Sequence, residues 1–472
     1  MKKHAYLIGL CGAGMRSLVD YLLAQDWIVS GSDQSMSKYS QQEFAAKGVQ
    51  AFTTHCENNL PAETSLLIHS LAISASNPER KLAARRQIPT YSYVEYLGKL
   101  FEQYRGIGIA GTHGKTTTTA ILAHLLRCSG NDPSLIYGGR FQGETEFGWC
   151  GNSDLLVAEC CEFRQSFLNY TPETAALLGI EEDHFDCYPD QESLLDAFSQ
   201  FCGKIKPQGL LVINGDCELT KLASQKARCP VVSFSTNRTT ATECDWQLKS
   251  ISISNTGTAF SVRSPGGNLF SFEIPLFGIH QIANSLAAII IANEIGVEMG
   301  IIAKGLTTFP GVKRRFDLRG EYRGRIFIDD YAHHPTEIEA TIAAVRQRFG
   351  DCHLSIAFQP HQILRTESLL DQFGLALGKA DHVFILPIFA AREIQDSKTE
   401  TVAQKLVCRG NSLLLSSDKK NQRFEYSASL DHLCSSLDDS STIEEPSSSN
   451  LFLTLGAGNI DRIYYELPGF IR

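Results

Sequence analysis

The stretch from 107 to 119 carries the densest chemistry in the chain. An apolar run, Ile107-Gly-Ile-Ala110, leads into Gly111-Thr112-His113-Gly114-Lys115-Thr116-Thr117, and a helical pattern, Ala120-Ile-Leu-Ala-His-Leu-Leu, follows. A glycine-rich turn between a strand and a helix exposes backbone N–H groups at a helix N-terminus, where unsatisfied donors and the helix dipole together favour phosphate. Lys115 adds a full charge and Thr116 a hydroxyl able to ligate Mg²⁺. The loop is shorter than the common G-x-x-x-x-G-K-[ST] form, so its strand and helix context carries the reading. A nucleoside triphosphate is expected, and a triphosphate requires a divalent metal.

Candidate metal ligands stand downstream. Glu159 closes the apolar run 155–159, and His184 lies in Ile180-Glu-Glu-Asp-His184-Phe-Asp-Cys-Tyr188. Ligands of open α/β sheets bind outside the carboxyl ends of the strands, where both residues fall. A histidine among acids is ordinarily a solvated loop residue; the phosphate loop upstream favours ligation here, and Thr116, Glu159 and His184 form the candidate metal set. A second glycine turn, Gly9-Leu-Cys-Gly12-Ala-Gly14-Met15, follows an apolar run near the N-terminus, with Asp33 about 20 positions on. That spacing also suits a dinucleotide site, and the alternative stays open on these residues alone.

Elements must hold these groups together. Strand-like runs at 5–9, 28–31, 65–69, 107–110, 155–159, 175–180 and 210–214 alternate with helix-length segments, which predicts βαβ units and mainly parallel sheets. After residue 240 short alternating strands appear at 246–253, 259–262 and 269–274, then a helix over 280–295. Further strands are expected at 326–329, 354–358, 382–386 and 451–455. At 472 residues the chain is long enough for about three domains. The expected fold is α/β with three domains: a Rossmann-like unit over 1–104, a P-loop ATPase-like unit with a parallel sheet and added antiparallel strands over 105–311, and a second Rossmann-like unit over 312–472.

Composition narrows the class. Hydrophobic residues make up 43% and charged residues 20%, as in ordinary globular chains. A net charge of −9 removes the broad attraction that a nucleic-acid binder carries. No run reaches the roughly 18 apolar residues of a membrane span, and no cleavable leader precedes the first strand, so a cytoplasmic location is expected. The 14 cysteines are scattered without a CxxC pair, which points to reduced, mostly buried thiols. The polar, serine-rich 437–450 reads as a solvated loop.

Several strings resemble the Mur ligase family in the family's order: GTHGKTTTT; Glu159-Cys-Cys-Glu162-Phe-Arg-Gln-Ser-Phe-Leu168; 180–188; Gly278-Ile-His280-Gln-Ile-Ala-Asn284; Phe309-Pro-Gly-Val-Lys-Arg-Arg315-Phe316; Asp329-Asp330-Tyr-Ala-His333-His334-Pro-Thr-Glu337; and Phe358-Gln-Pro-His361-Gln-Ile-Leu-Arg365-Thr366. The last two resemble the alanine-adding branch more than the branches adding glutamate, diaminopimelate or a dipeptide. The resemblance implies an ADP-forming ligase of peptidoglycan precursor synthesis. It joins L-alanine to the lactyl carboxylate of UDP-N-acetylmuramate through an acyl phosphate, with ATP and Mg²⁺.

Residue by residue, the resemblance assigns the diphosphate of the sugar nucleotide to Gly12, Gly14 and Met15, with Asp33 in the same site. Lys115 falls on the β/γ-phosphates, Thr116, Glu159 and His184 on metal, and Arg315 on the transferring phosphate. Asp330 matches the ribose position, His280 and Asn284 the adenine side, and His334, His361 and Arg365 the surroundings of the amino acid. The partners implied are the two substrates, with no nucleic acid and no membrane insertion, in a monomer or weak homodimer. The chain departs from the family pattern at Gln281, Gln362 and Cys160-Cys161. Ser199 stands where several relatives carry a carbamylated lysine, which the alanine-adding branch also tends to lack. Two alternatives remain: a sister ligase that attaches a ready-made peptide during wall recycling, and an ATP-binding paralogue without turnover.

Overall fold

In a computed structural model, the structure describes residues 2–183, 185–237, 244–391, 393, 397–416, 422–438 and 450–470. Three sheets follow one another along the chain. The first comprises β1 (His4–Ile8), β2 (Ile28–Ser32), β3 (Gln50–Phe52), β4 (Leu66–His69) and β5 (Thr90–Ser92), parallel throughout in the order β3-β2-β1-β4-β5. Such sheets need cover on both faces, and β1 and β4 are accordingly apolar runs buried along their whole length.

The second sheet has ten strands: β6 (Arg105–Ala110), β7 (Ser134–Ile136), β8 (Gly148–Trp149), β9 (Leu155–Cys160), β10 (Thr174–Leu177), β11 (Leu210–Asn214), β12 (Val231–Ser235), β13 (Trp246–Ile253), β14 (Thr258–Arg263) and β15 (Leu269–Ile274). Their order is β15-β14-β13-β12-β11-β10-β6-β9-β7-β8, and the meander β13 to β15 is antiparallel, as the alternating pattern after residue 240 predicts. The third sheet holds β16 (Asp317–Tyr322), β17 (Arg325–Asp330), β18 (His353–Phe358), β19 (His382–Ile385), β20 (Arg423–Tyr426) and β21 (Asn450–Leu455) in the order β16-β17-β21-β18-β19-β20. Only β16 runs antiparallel there.

Two sequence expectations shift. The strand expected over 175–180 ends at Leu177, because the chain turns at Gly179 to accept the Thr112 N–H of the phosphate loop at 2.9 Å. β16 had no clear apolar signal: it is an edge strand with Leu318 exposed, joined to β17 by Arg323-Gly324, both at positive φ, the geometry of a tight hairpin. The thiols are all free, but six of 14 are buried rather than most of them; Cys56, Cys128, Cys161 and Cys408 are exposed on loops and helix surfaces. Most of the serine-rich stretch, 439–449, lies outside the described residues, as does His184.

The helix Ile279–Glu294 shows why the middle unit holds together. Its residues Leu286 to Ala292 are all 0% exposed, wedged between the ten-stranded sheet and the phosphate-loop helix Lys115–Cys128. A helix apolar on every side must be enclosed, and this enclosure also fixes the start of both helices against each other. Leu286→Ala removes a fully buried side chain beside that contact and is expected to cost about 2–5 kcal/mol, read as a lowered thermal unfolding midpoint.

Candidate active site

The sheets deliver their carboxyl ends to one crevice. β6 pairs with β9 and β10 so that Ala110 sits opposite Cys160 and Leu177, which brings Glu159 and the segment after residue 177 beside the phosphate loop. Gly111 (φ 131°) and Gly114 (φ 81°) let the loop turn back on itself. A Cβ at Gly114 would stand 2.3 Å from Asn284 Oδ1, so the loop and the helix Ile279–Glu294 touch where only glycine fits. Thr112 fastens the loop further: its hydroxyl donates to Glu181 O and accepts from Glu181 N, at 3.1 and 3.0 Å.

Lys115 curls into this cradle. Its ammonium donates to Gly111 O, to Thr112 O at 3.0 Å and to Glu162 Oε2 at 3.0 Å. Burial opposes the charge, but the Glu162 carboxylate outweighs it and raises Lys115 above the ordinary lysine range. Glu162 is 1% exposed, and its carbonyl receives Tyr188 Oη–H at 2.5 Å. Sequence reading gave Glu162 no role; its only signal was a position three residues after Glu159.

Glu159 uses one carboxylate oxygen on Gly138 N–H, at 2.8 Å. A Cβ built on Gly138 would lie 3.4 Å from the other oxygen and 3.8 Å from Ala13 Cβ, so the N-terminal glycine turn abuts the segment that holds Glu159. Mg²⁺ takes oxygen ligands; Thr116 follows Lys115 at the start of its helix, and the Glu159 carboxylate is close enough to act on the Lys115 charge, so the donor chemistry of the two residues suits that ion. Thr117 is buried in the same helical turn. Among the described residues the ligand atoms of His113, Glu181 and His334 also lie within 4.8 Å of one another. His113, however, faces a carboxylate from each ring nitrogen, Glu337 Oε1 and Glu181 Oε2, both at 3.0 Å. Burial works against its charge, yet the two acids raise it to about 9, and an imidazolium has no lone pair for a metal.

In the glycine turn of 9–15, Gly12 caps the helix Ala13–Ala24, Met15 is buried, and a Cβ at Gly14 would meet the Tyr93 ring at 2.6 Å. Asp33 accepts from Cys11 N at 2.8 Å and from Ser35 N and Oγ at 2.8 and 2.6 Å, so its carboxylate braces the turn itself. Arg16 and Arg140 share Glu43, at 2.9 and 3.0 Å, tying this turn's helix to the middle unit.

From the third sheet, Asp330 accepts from Phe316 N (2.7 Å) and Ala332 N (2.8 Å); burial raises its carboxyl to about 6 against the pull of Arg315. Arg315 is half-buried, its guanidinium 5.0 Å above the Tyr331 ring rather than out in solvent. A Cβ at Gly278 would meet both His280, at 2.5 Å, and Ala344 of the helix Pro335–Phe349, at 3.3 Å; His280 Nδ1 is buried and unpartnered, and burial lowers the ring to about 4. Asn284 bonds Gln281 at 3.2 Å, so the glutamine departure is accommodated inside its own helix. His334 caps the helix Pro335–Phe349 through Thr336 N at 3.4 Å and is kept neutral mainly by burial, with its Nε2 unpartnered. Gln362 adopts φ 69° and donates its N–H to Phe389 O. Ser199 bonds back to Leu195 O at 2.7 Å within its own helix.

Arg365 is 2% exposed and bound to Asp183: Nε and Nη2 both donate to Oδ1, at 2.8 and 2.6 Å, while Nη1 meets His361 Nδ1 at 3.1 Å. His361 stacks on Phe389 at 5.9 Å. Asp183 and Glu181 belong to the middle unit and their partners Arg365 and Thr336 to the last (Thr336 Oγ1 donates to Glu181 Oε1, 2.6 Å), so the crevice is bridged by an ion pair and a hydrogen bond that no local pattern displays.

Three family models match consecutive parts of the chain: Mur ligase family, catalytic domain (4–105), Mur ligase middle domain (109–292) and Mur ligase, glutamate ligase domain (314–433). The chain therefore belongs to the Mur ligase family of ATP-dependent, amide-forming ligases. It is 36% identical over 396 residues, 83% of this chain and 84% of the relative, to the UDP-N-acetylmuramate--L-alanine ligase of Alkaliphilus metalliredigens. It is 33% identical over 468 residues, 99% of this chain and 100% of the relative, to the enzyme of the same name from Desulfitobacterium hafniense. The crystal structure of UDP-N-acetylmuramate-alanine ligase from Thermotoga maritima shares the fold, with a TM-score of 0.79, 24% identity and 98% of each chain covered. Asp183→Ala strands the Arg365 charge in the interior. It is expected to cost about 3–5 kcal/mol, seen as a lower unfolding midpoint, with Asp183→Asn intermediate.

Proposed function

We propose that this protein joins L-alanine to the lactyl carboxylate of UDP-N-acetylmuramate, converting ATP to ADP and phosphate, as a cytoplasmic monomer or weak homodimer. The observation that carries the reading is the end-to-end match to curated relatives named for that reaction, over 99% of this chain. The crevice chemistry agrees with it. No helix among the described residues is long and apolar enough to cross a membrane, which suits small soluble substrates.

In this reading residues 1–104 take the sugar nucleotide, 105–311 the ATP, and 312–472 the amino acid and adenosine. The amides around Gly12, Gly14 and Met15 hold the diphosphate, with Asp33 bracing their turn. The loop from Gly111 to Thr117 receives the ATP phosphates, and Lys115 turns from Glu162 toward the β/γ-phosphates. The lactyl carboxylate attacks the γ-phosphorus and ADP leaves, giving an acyl phosphate; the alanine amine then attacks the acyl carbon, and phosphate leaves as the amide forms. A carboxylate alone is a poor acylating agent, so positioning and charge neutralisation are the protein's work. Arg315 holds the oxygens of the moving phosphate, and its planar fork suits that task. Asp330 holds the ribose, and His280 with Asn284 borders the adenine. Mg²⁺ would be held by Thr116, Glu159 and His184 and would supply neutralisation of the phosphate charge. His334, His361 and Arg365 surround the alanine; Arg365 reaches its carboxylate only by loosening from Asp183.

Phosphate release with Mg-ATP and UDP-N-acetylmuramate is expected to require alanine and to fall by at least about 100-fold in Lys115→Met. Release with the tripeptide in place of alanine would assign the recycling reaction instead, and ATP binding without release would mark a non-catalytic relative.

A further inference from the structure

The His113 side chain of the phosphate loop reaches the last unit of the chain. Its ring lies between Glu181, on the segment following β10, and Glu337, on the first turn of the helix Pro335–Phe349, each contacted at 3.0 Å through a different nitrogen. Two carboxylates accept and neither donates, so the geometry is satisfied when the ring carries both protons. We infer that His113 is a positioning residue: its imidazolium, shared between Glu181 and Glu337, locks the phosphate loop to the C-terminal unit and thereby sets Arg315 against the transferring phosphate.

The surroundings make this a charge lock rather than simple packing. Glu337 also accepts His333 N–H at 3.0 Å, and Arg315 stands close enough to stabilise its charge. Glu181 accepts from Thr336 at 2.6 Å. The other titratable groups facing the lock are His334, whose ring is 4.9 Å from that of His113, His280 and Asp330 near Glu337, and Asp183 near His333 and His334. His333 and His280, both held down to about 4 mainly by burial, are neutral, which leaves His113 as the cation between the two acids. Because the folded ring titrates near 9, above its ordinary 6.5, the lock is complete below about 6.5 and is lost as pH rises through about 9.

The inference relies on the ligase reading for a turnover assay but not for a ring titration, so the two fail separately. The test is NMR titration of the ring-labelled histidines in the full-length protein, with His113 assigned by its absence in His113→Gln, together with the pH profile of alanine-dependent phosphate release. In the wild type the ring is expected to titrate near 9. Glu337→Gln keeps the side-chain size and is expected to move that titration and the alkaline limb of kcat to lower pH. A displacement of Arg315 by about an ångström predicts a kcat loss of roughly 10–100-fold, with KM for ATP changing little. His113→Gln should show the kcat loss without the pH shift. A wild-type ring that titrates at or below about 6.5, or an alkaline limb that Glu337→Gln leaves in place, overturns the proposal.

Discussion

A loop proposed to bind triphosphate must hold a lysine charge in a largely dry cradle before any phosphate is there to balance it. Lys115 meets this constraint by bonding to Glu162, which is 1% exposed, and to the loop's own carbonyls. An unpaired ammonium at that depth would be costly to bury. The resting pair therefore keeps the charge in place, and in the proposed reaction phosphate oxygens replace the carboxylate as partners. Glu159 stands three residues earlier, in β9, and Glu162 follows just past the end of that strand, so one strand and its exit supply both the carboxylate that balances the lysine and an oxygen donor of the kind metals take.

The remaining architecture brings further charges to this point. Parallel strands of two sheets end at the crevice, and two ion pairs cross it, His113 with Glu337 and Arg365 with Asp183, beside ring contacts such as Phe277 with Phe316. Ion pairs across a cleft can be exchanged for substrate groups at modest cost where an apolar seam could not. Arg365 and Lys115 each rest on a protein carboxylate and would each be handed to an anionic ligand group. The first sheet is attached differently, through Glu43, which binds Arg16 and Arg140, and through backbone N–H contacts from Tyr137 to Ser17 and Phe147 to Asp20.

Local patterns made much of the fold legible. β11, β13 and β15 begin and end where their apolar patterns do, and the phosphate loop lies between a strand and a helix as its glycines require. Short or edge elements escaped because they lack such a pattern: β8 has two residues, and β16 exposes Leu318. At the site, motif residues were visible because phosphate chemistry restricts their types. Glu162, Glu181 and Asp183 looked like ordinary loop acids, since an acid 47 or 182 residues from its cation leaves no mark in either segment.

By itself the sequence determined the longer apolar strands, the glycine loop between β6 and the helix Lys115–Cys128, and the family, because each follows from residue type at short spacing. Tertiary structure alone decided which acid balances which cation: Lys115 with Glu162, Arg365 with Asp183, and His113 between two carboxylates. It also turned Asp33 and Asp330 toward backbone amides distant in the chain, those of Cys11 and Phe316. Those choices depend on distances of a few ångströms between groups far apart in the chain, and electrostatic pairing acts through space, not along the backbone.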